Sequence, residues 1–121
     1  MGWLARRFED SPERAERVVP MRVAPVEVQV MGRGSLDVLR ARNVSTTGLG
    51  VYVPHGFAGF DLAAEVELLV ALPATRPFLA RGVIKHMTED GGGAHHFGLR
   101  FTQIDDAHRT ALARYVKSRR G

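Results

Sequence analysis

From residue 23 the chain alternates between apolar and polar residues. Val26, Val28 and Val30 fall on one side while Glu27 and Gln29 fall on the other, which is the period of a half-buried strand. A first strand is therefore expected from residue 23, and Gly32-Arg33-Gly34-Ser35 reads as a hairpin turn behind it. A second strand is expected from Leu36 to Val44, running into a polar bend, Asn43 to Gly48. Leu49, Val51 and Val53 then alternate as a third strand, and Pro54, Gly56 and Gly59 mark a loop. Val66, Leu68, Val70 and Leu72 alternate against Glu65 and Glu67 in a fourth strand that stops at Pro73. A fifth is expected over about Phe78 to Met87, a turn over Thr88 to Gly93, and a sixth with Phe97, Leu99 and Phe101 inward and Gly98 and Arg100 outward.

After Ile104 the period becomes helical. Asp105 or Asp106 can cap a helix whose apolar stripe is Ala111, Leu112, Tyr115 and Val116, with Lys117, Arg119 and Arg120 at the favourable C-terminal end. Six short strands followed by one helix predict an all-β fold with a C-terminal helix, a six-stranded antiparallel β-barrel closed to remove its edges. Residues 1–17 are charged and carry Pro12, so they are expected to form a mobile N-terminal arm, with residues 18–121 as the barrel domain.

Composition narrows the function classes. At 121 residues, 45% apolar and 25% charged, the chain is one domain with one core. The start lacks the apolar region of a signal peptide, and the longest apolar region, Phe57 to Ala74, is interrupted by Asp61, Glu65 and Glu67. No transmembrane segment is therefore expected. A cytoplasmic protein, monomeric or weakly dimeric, is expected, and the lack of cysteine agrees with a reducing compartment. The net charge of +4, with all but two of the seventeen basic residues arginine, favours an anionic partner.

The chemistry concentrates in Asn43-Val44-Ser45-Thr46-Thr47-Gly48. In extended chain, residues two apart share a face, so Asn43 and Ser45 are expected to point the same way. Gly48 is expected to take the positive φ that reverses the chain and bares backbone to a ligand. Arginines arriving from elsewhere would clamp an anionic or guanine-bearing molecule against that face. Other chemistries find less support. No Gly-x-Ser-x-Gly elbow or paired acids suggest catalysis, so no enzyme is expected. His86 and His96 could face each other across the glycine turn, but two imidazoles alone make a poor site, and no metal is expected. The motifs of common nucleic-acid-binding modules are absent.

These residues resemble the PilZ domain family, bacterial receptors for cyclic di-GMP. Asn43, Ser45 and Gly48 meet that family's Asp/Asn-x-Ser-x-x-Gly motif in full, and Leu49-Gly50-Val51 continues it. Arg81-Gly82-Val83, Phe97-Gly98-Leu99-Arg100-Phe101 and Asp105, Arg109, Leu112, Tyr115 and Val116 look like its later strands and tail, so the resemblance covers about residues 14 to 116. The family's other motif, Arg-x-x-x-Arg ahead of the first strand, is irregular here. The arginines run Arg14-x-x-Arg17 and Arg17-x-x-x-x-Arg22. The resemblance implies a cyclic di-GMP site in which Arg14 and Arg17 stack on guanine and bridge phosphate. Asn43 and Ser45 would read a guanine edge, Gly48 would allow close approach, and Arg22 and Arg42 are additional candidates. It implies a receptor that relays the messenger to a protein partner governing motility, adhesion or secretion. The alternative is a PilZ-like protein that no longer binds the dinucleotide and works as an interaction adaptor.

Overall fold

The computed structural model describes residues 16–32, 34–53, 62–89 and 95–120. The alternating segments form six strands, β1 (Glu27–Gly32), β2 (Ser35–Val44), β3 (Gly48–Val53), β4 (Glu65–Ala71), β5 (Phe78–Glu89) and β6 (His95–Gln103). All pair antiparallel in the order β1-β2-β3-β6-β5-β4, and β4 returns to β1 to close a barrel. Closure satisfies the ladder groups that an open sheet would leave at its edges. Residues predicted to face inward do so: Val28, Val30, Leu49, Val51, Leu68, Val70 and Leu99 are buried in one continuous core, joined by Ile84 of β5.

Two boundaries differ from the sequence expectation, each for a local reason. β1 begins at Glu27 rather than at residue 23, because Met21 and Ala24 bridge across a turn and Pro25 has no N–H to give a ladder. Val26 is nevertheless buried, and its carbonyl accepts the Ala41 N–H at 2.8 Å. β5 continues through Thr88 and Glu89, which pair with His96 and His95, so the chain turns later than its polar residues suggest. Residues 90–94 lie outside the described residues, as do residues 1–15 of the expected arm. The predicted hairpin is present: Gly32 pairs with Ser35, and Gly34 takes φ 77°.

Helix α1 (Asp106–Arg120) starts where the Asp105 carbonyl accepts the N–H groups of His108 and Arg109. Its stripe of Leu112 and Val116 completes the core, with Ala111 and Tyr115 half-buried beside it. His108 stacks on Phe78 at 4.7 Å. Burial pushes the Tyr115 phenol above its ordinary pKa, with the neighbouring Arg119 charge opposing. Among the described residues, no helix is long and apolar enough to cross a membrane.

Candidate functional site

The bend after β2 begins with a bulge. Ala41 pairs with Val51 and Asn43 with Gly50, so Arg42 is an extra residue with no partner across the ladder. Leu39 and Ala41 face the core, and strict alternation would send Asn43 inward after them. The extra residue resets the phase, leaving Arg42 exposed, Asn43 half-buried on the outer surface and Val44 inside. Asn43 and Ser45 nevertheless do not share a face, contrary to the sequence expectation, because the strand ends at Val44 and Ser45 turns into the bend.

Ser45 lies past the strand end and is 0% exposed. Its Oγ accepts the N–H groups of Thr47 and Gly48, both at 3.1 Å, and donates to the Gly48 carbonyl at 3.2 Å. It works as an internal brace of the bend rather than as an outward hydroxyl. Gly48 differs too. Among the described glycines only Gly34 has positive φ, and Gly48 pairs with Arg100 as an ordinary strand residue. Its requirement is steric: a Cβ there would collide with the Leu99 carbonyl oxygen. Gly50 has a parallel role, because a Cβ would come within 2.9 Å of Asn43 Oδ1, so the bare backbone gives Asn43 its resting place.

The leader reaches this corner. Val18 and Val44 exchange both backbone hydrogen bonds, at 3.0 and 2.9 Å, extending the ladder beyond β2. That pairing places Arg17 beside the bulge, where its Nη1 donates to Asn43 Oδ1 at 3.0 Å. On either side of Arg17 the leader is tied to the end of α1: Glu16 accepts from Arg120 at 2.8 Å, and the Val19 carbonyl accepts from Arg119 Nε at 2.9 Å. Arg109 of the same helix donates to the Thr46 carbonyl at 2.8 Å and pins the bend itself.

Beyond Asn43 the outer surface runs across three strands through one row of pairs: Asn43 to Gly50, Gly50 to Gly98, and Gly98 to His86. Two adjacent glycines make this a low floor, on which the side chains of Asn43 and His86 rest. Its far side carries a second bulge, since Ile84 pairs with Leu99 and His86 with Gly98, leaving Lys85 extra and exposed. Arg17, Lys85, His86, Gly98, Leu99 and Arg100 line a shallow depression here, and among these residues there is no carboxylate. Arg100 is half-buried, with its Nε sealed from solvent and unbonded among the described residues. A roomier cleft of about 280 Å³ lies elsewhere, between Glu67, Arg81 and Asp105. Its two carboxylates disfavour an anion, so charge selects the shallower site.

Of the residues singled out in the sequence, the structure joins Arg17 with Asn43 and braces the corner with Ser45 and Gly48. Arg14 lies outside the described residues. Arg22 is exposed in the turn bridged by Met21 and Ala24, and Arg42 is exposed at the bulge. His86 and His96 do not oppose each other: His96 pairs with Thr88 and meets Tyr52 edge-on at 5.6 Å. Lys85, Gly50 and Arg100 were not singled out as site residues, and His86 was weighed only as a metal ligand. For Gly98 and Arg100 there was a signal, the glycine and arginine alternating on the outer side of the sixth strand. For Lys85 there was none, because a bulge changes register without changing composition.

The family model described as PilZ domain matches residues 11–118. Among solved structures, the chain is similar to the inhibitor of motility MotI/DgrA of Bacillus subtilis, with 19% identity and a TM-score of 0.78 over 91% of this chain and 52% of that one. It is also similar to the PilZ domain with c-di-GMP of Escherichia coli YcgR, with 16% identity and a TM-score of 0.74 over 91% of this chain and 92% of that one. A third is Borreliella burgdorferi PlzA in complex with c-di-GMP, at 11% identity and TM-score 0.63 over 94% of this chain and 43% of that one. The chain thus spans about half the length of the first of these and less than half of the third. No curated protein matches it.

Proposed function

The chain belongs to the PilZ domain family, and on that premise we propose that it is a cyclic di-GMP receptor, not an enzyme, working in the cytoplasm. The observation that carries the reading is the 3.0 Å bond from Arg17 to Asn43, which brings a leader guanidinium to the polar corner between β2 and β3. Supporting it are the glycine floor beside that corner and the absence of a carboxylate among the described lining residues. Two solved relatives carry c-di-GMP by their descriptions.

The ligand offers two phosphates and two guanines. In this reading Arg17 turns from Asn43 to bridge a phosphate and stack on guanine, and Arg14 joins it from the leader. Asn43, released from Arg17, reads a guanine edge with its amide. Ser45 and Gly48 hold the bend in shape beneath it. Arg22 and Arg42 add positive charge at the rim. Because Arg17 sits between Glu16 and Val19, both held by α1, ordering of the leader would alter the surface at the helix end and pass the signal to a protein partner, with control of motility, adhesion or secretion as the output.

A second reading, an adaptor that does not bind the dinucleotide, is favoured by one feature. No two arginines in the chain are spaced as Arg-x-x-x-Arg. Calorimetry separates the two. The receptor gives saturable binding that Arg17→Ala and Asn43→Ala each weaken by tenfold to a hundredfold, roughly the loss of one charge-assisted hydrogen bond. The adaptor gives no heat at high ligand concentration with the fold intact by circular dichroism.

A further inference from the structure

Resting on the cyclic di-GMP reading, we propose that β5 and β6 supply a second anion clamp of their own. In it Arg100 and Lys85 hold a phosphate of the bound dinucleotide across the glycine floor from Arg17. The charge that a regularly spaced second leader arginine would bring is thereby provided by the barrel wall.

Three observations converge on this. The first is electrostatic: Arg17, Lys85 and Arg100, with His86, gather around one depression whose described lining holds no carboxylate, and neither Lys85 nor Arg100 has an ion pair among the described residues. Like charges drawn together without a counter-charge repel, and a bound anion removes that repulsion. The second is the state of Arg100. Its cross-strand neighbours, Gly48 and Val83, offer no side-chain acceptor, and its Nε is buried without a partner. Buried donors are nearly always satisfied, and a guanidinium fork suits two oxygens of one phosphate. The third is the bulge. Lys85 stands out of register between Ile84 and His86, a device that re-aims a side chain at the surface. Between these cations the exposed His86 ring rests on Gly98, where a Cβ would come within 3.0 Å of its Cδ2, so a flat ligand lies close to the backbone once that ring turns aside.

The test titrates the full chain and its Arg100→Gln, Lys85→Gln and Arg76→Gln variants with cyclic di-GMP by calorimetry. Alongside, arginine and lysine side-chain NMR follows inorganic pyrophosphate. Arg76 is exposed in the connection between β4 and β5 and serves as the control. The clamp predicts that Arg100→Gln and Lys85→Gln each weaken binding about tenfold or more while Arg76→Gln changes it less than twofold. Wild-type binding with both clamp variants inside twofold overturns the clamp and leaves the receptor reading standing. If wild-type protein binds no cyclic di-GMP, the receptor reading fails, and the clamp is then judged by pyrophosphate. Saturable shifts at Arg100 and Lys85 that disappear in Arg100→Gln uphold it as a site for another phosphate ligand, and unmoved signals overturn it. Lys85 is exposed at a bulge, so if Arg100→Gln proves poorly folded, the affinity of Lys85→Gln alone upholds or overturns the clamp.

Discussion

Asn43 is available to a ligand only through its neighbours: Arg42 resets the strand phase, and Gly50 leaves the space beneath its amide. Gly50→Ala would put a methyl 2.9 Å from Asn43 Oδ1 and displace the side chain. Cyclic di-GMP affinity should fall about as far as in Asn43→Ala, by tenfold or more, with the circular dichroism spectrum kept. Ser45 has the opposite profile. Its Oγ satisfies one buried and one half-buried N–H group, so Ser45→Ala should cost about 1–3 kcal/mol in urea unfolding. Unchanged stability together with lost binding would instead make Ser45 a ligand contact. The motif Asn-x-Ser-x-x-Gly thus divides its labour, with one residue presenting and two building.

At the scale of elements, the barrel and helix were legible because most of each strand keeps one period and each turn has a glycine or proline in or beside it. Val28 and Val30, or Leu99 and Phe101, reveal their direction by simple alternation. The site was less legible because it lies at two departures from that period. The bulges at Arg42 and Lys85 each add one residue, and nothing in residue type distinguishes an extra residue from a paired one. Reading Asn43 and Ser45 as same-facing failed because the strand ends between them and Ser45 Oγ turns inward to the Thr47 and Gly48 N–H groups, and reading a positive φ into Gly48 failed because the glycine answers to a carbonyl of β6 that only the tertiary pairing brings near. Glu16 and Arg17, placed in the arm, carry bonds to Arg120 and Asn43 that span 104 and 26 residues, beyond any local pattern. The leader–helix tie has its own test. Replacing Arg119 and Arg120 by Ala removes two exposed contacts and should change stability by less than about 1 kcal/mol. Hydrogen exchange at the Val18 and Val44 amides should nonetheless quicken, since the leader then keeps only its ladder bonds, the Arg17–Asn43 bond and the packing of Val18. Unchanged exchange would show that the helix end does not govern the leader.

Over the whole molecule, one core and a closed barrel make a stiff platform, to which the leader and the helix end are joined by exposed contacts. The basic residues are spread around it, and a net charge of +4 draws anions without choosing among them. Selection belongs to the face shared by β2, β3, β6 and β5. The opposite ends of β2 and β5, away from Asn43 and His86, carry exposed Leu36, Val38 and Leu79 and have a different chemistry. The most direct measurement is an amide NMR titration of the full chain with cyclic di-GMP. Saturable shifts concentrated at Arg17, Asn43, Gly50, His86 and Gly98 are predicted. Shifts centred on Leu36, Val38 and Leu79, or none at all with excess ligand, would contradict the account.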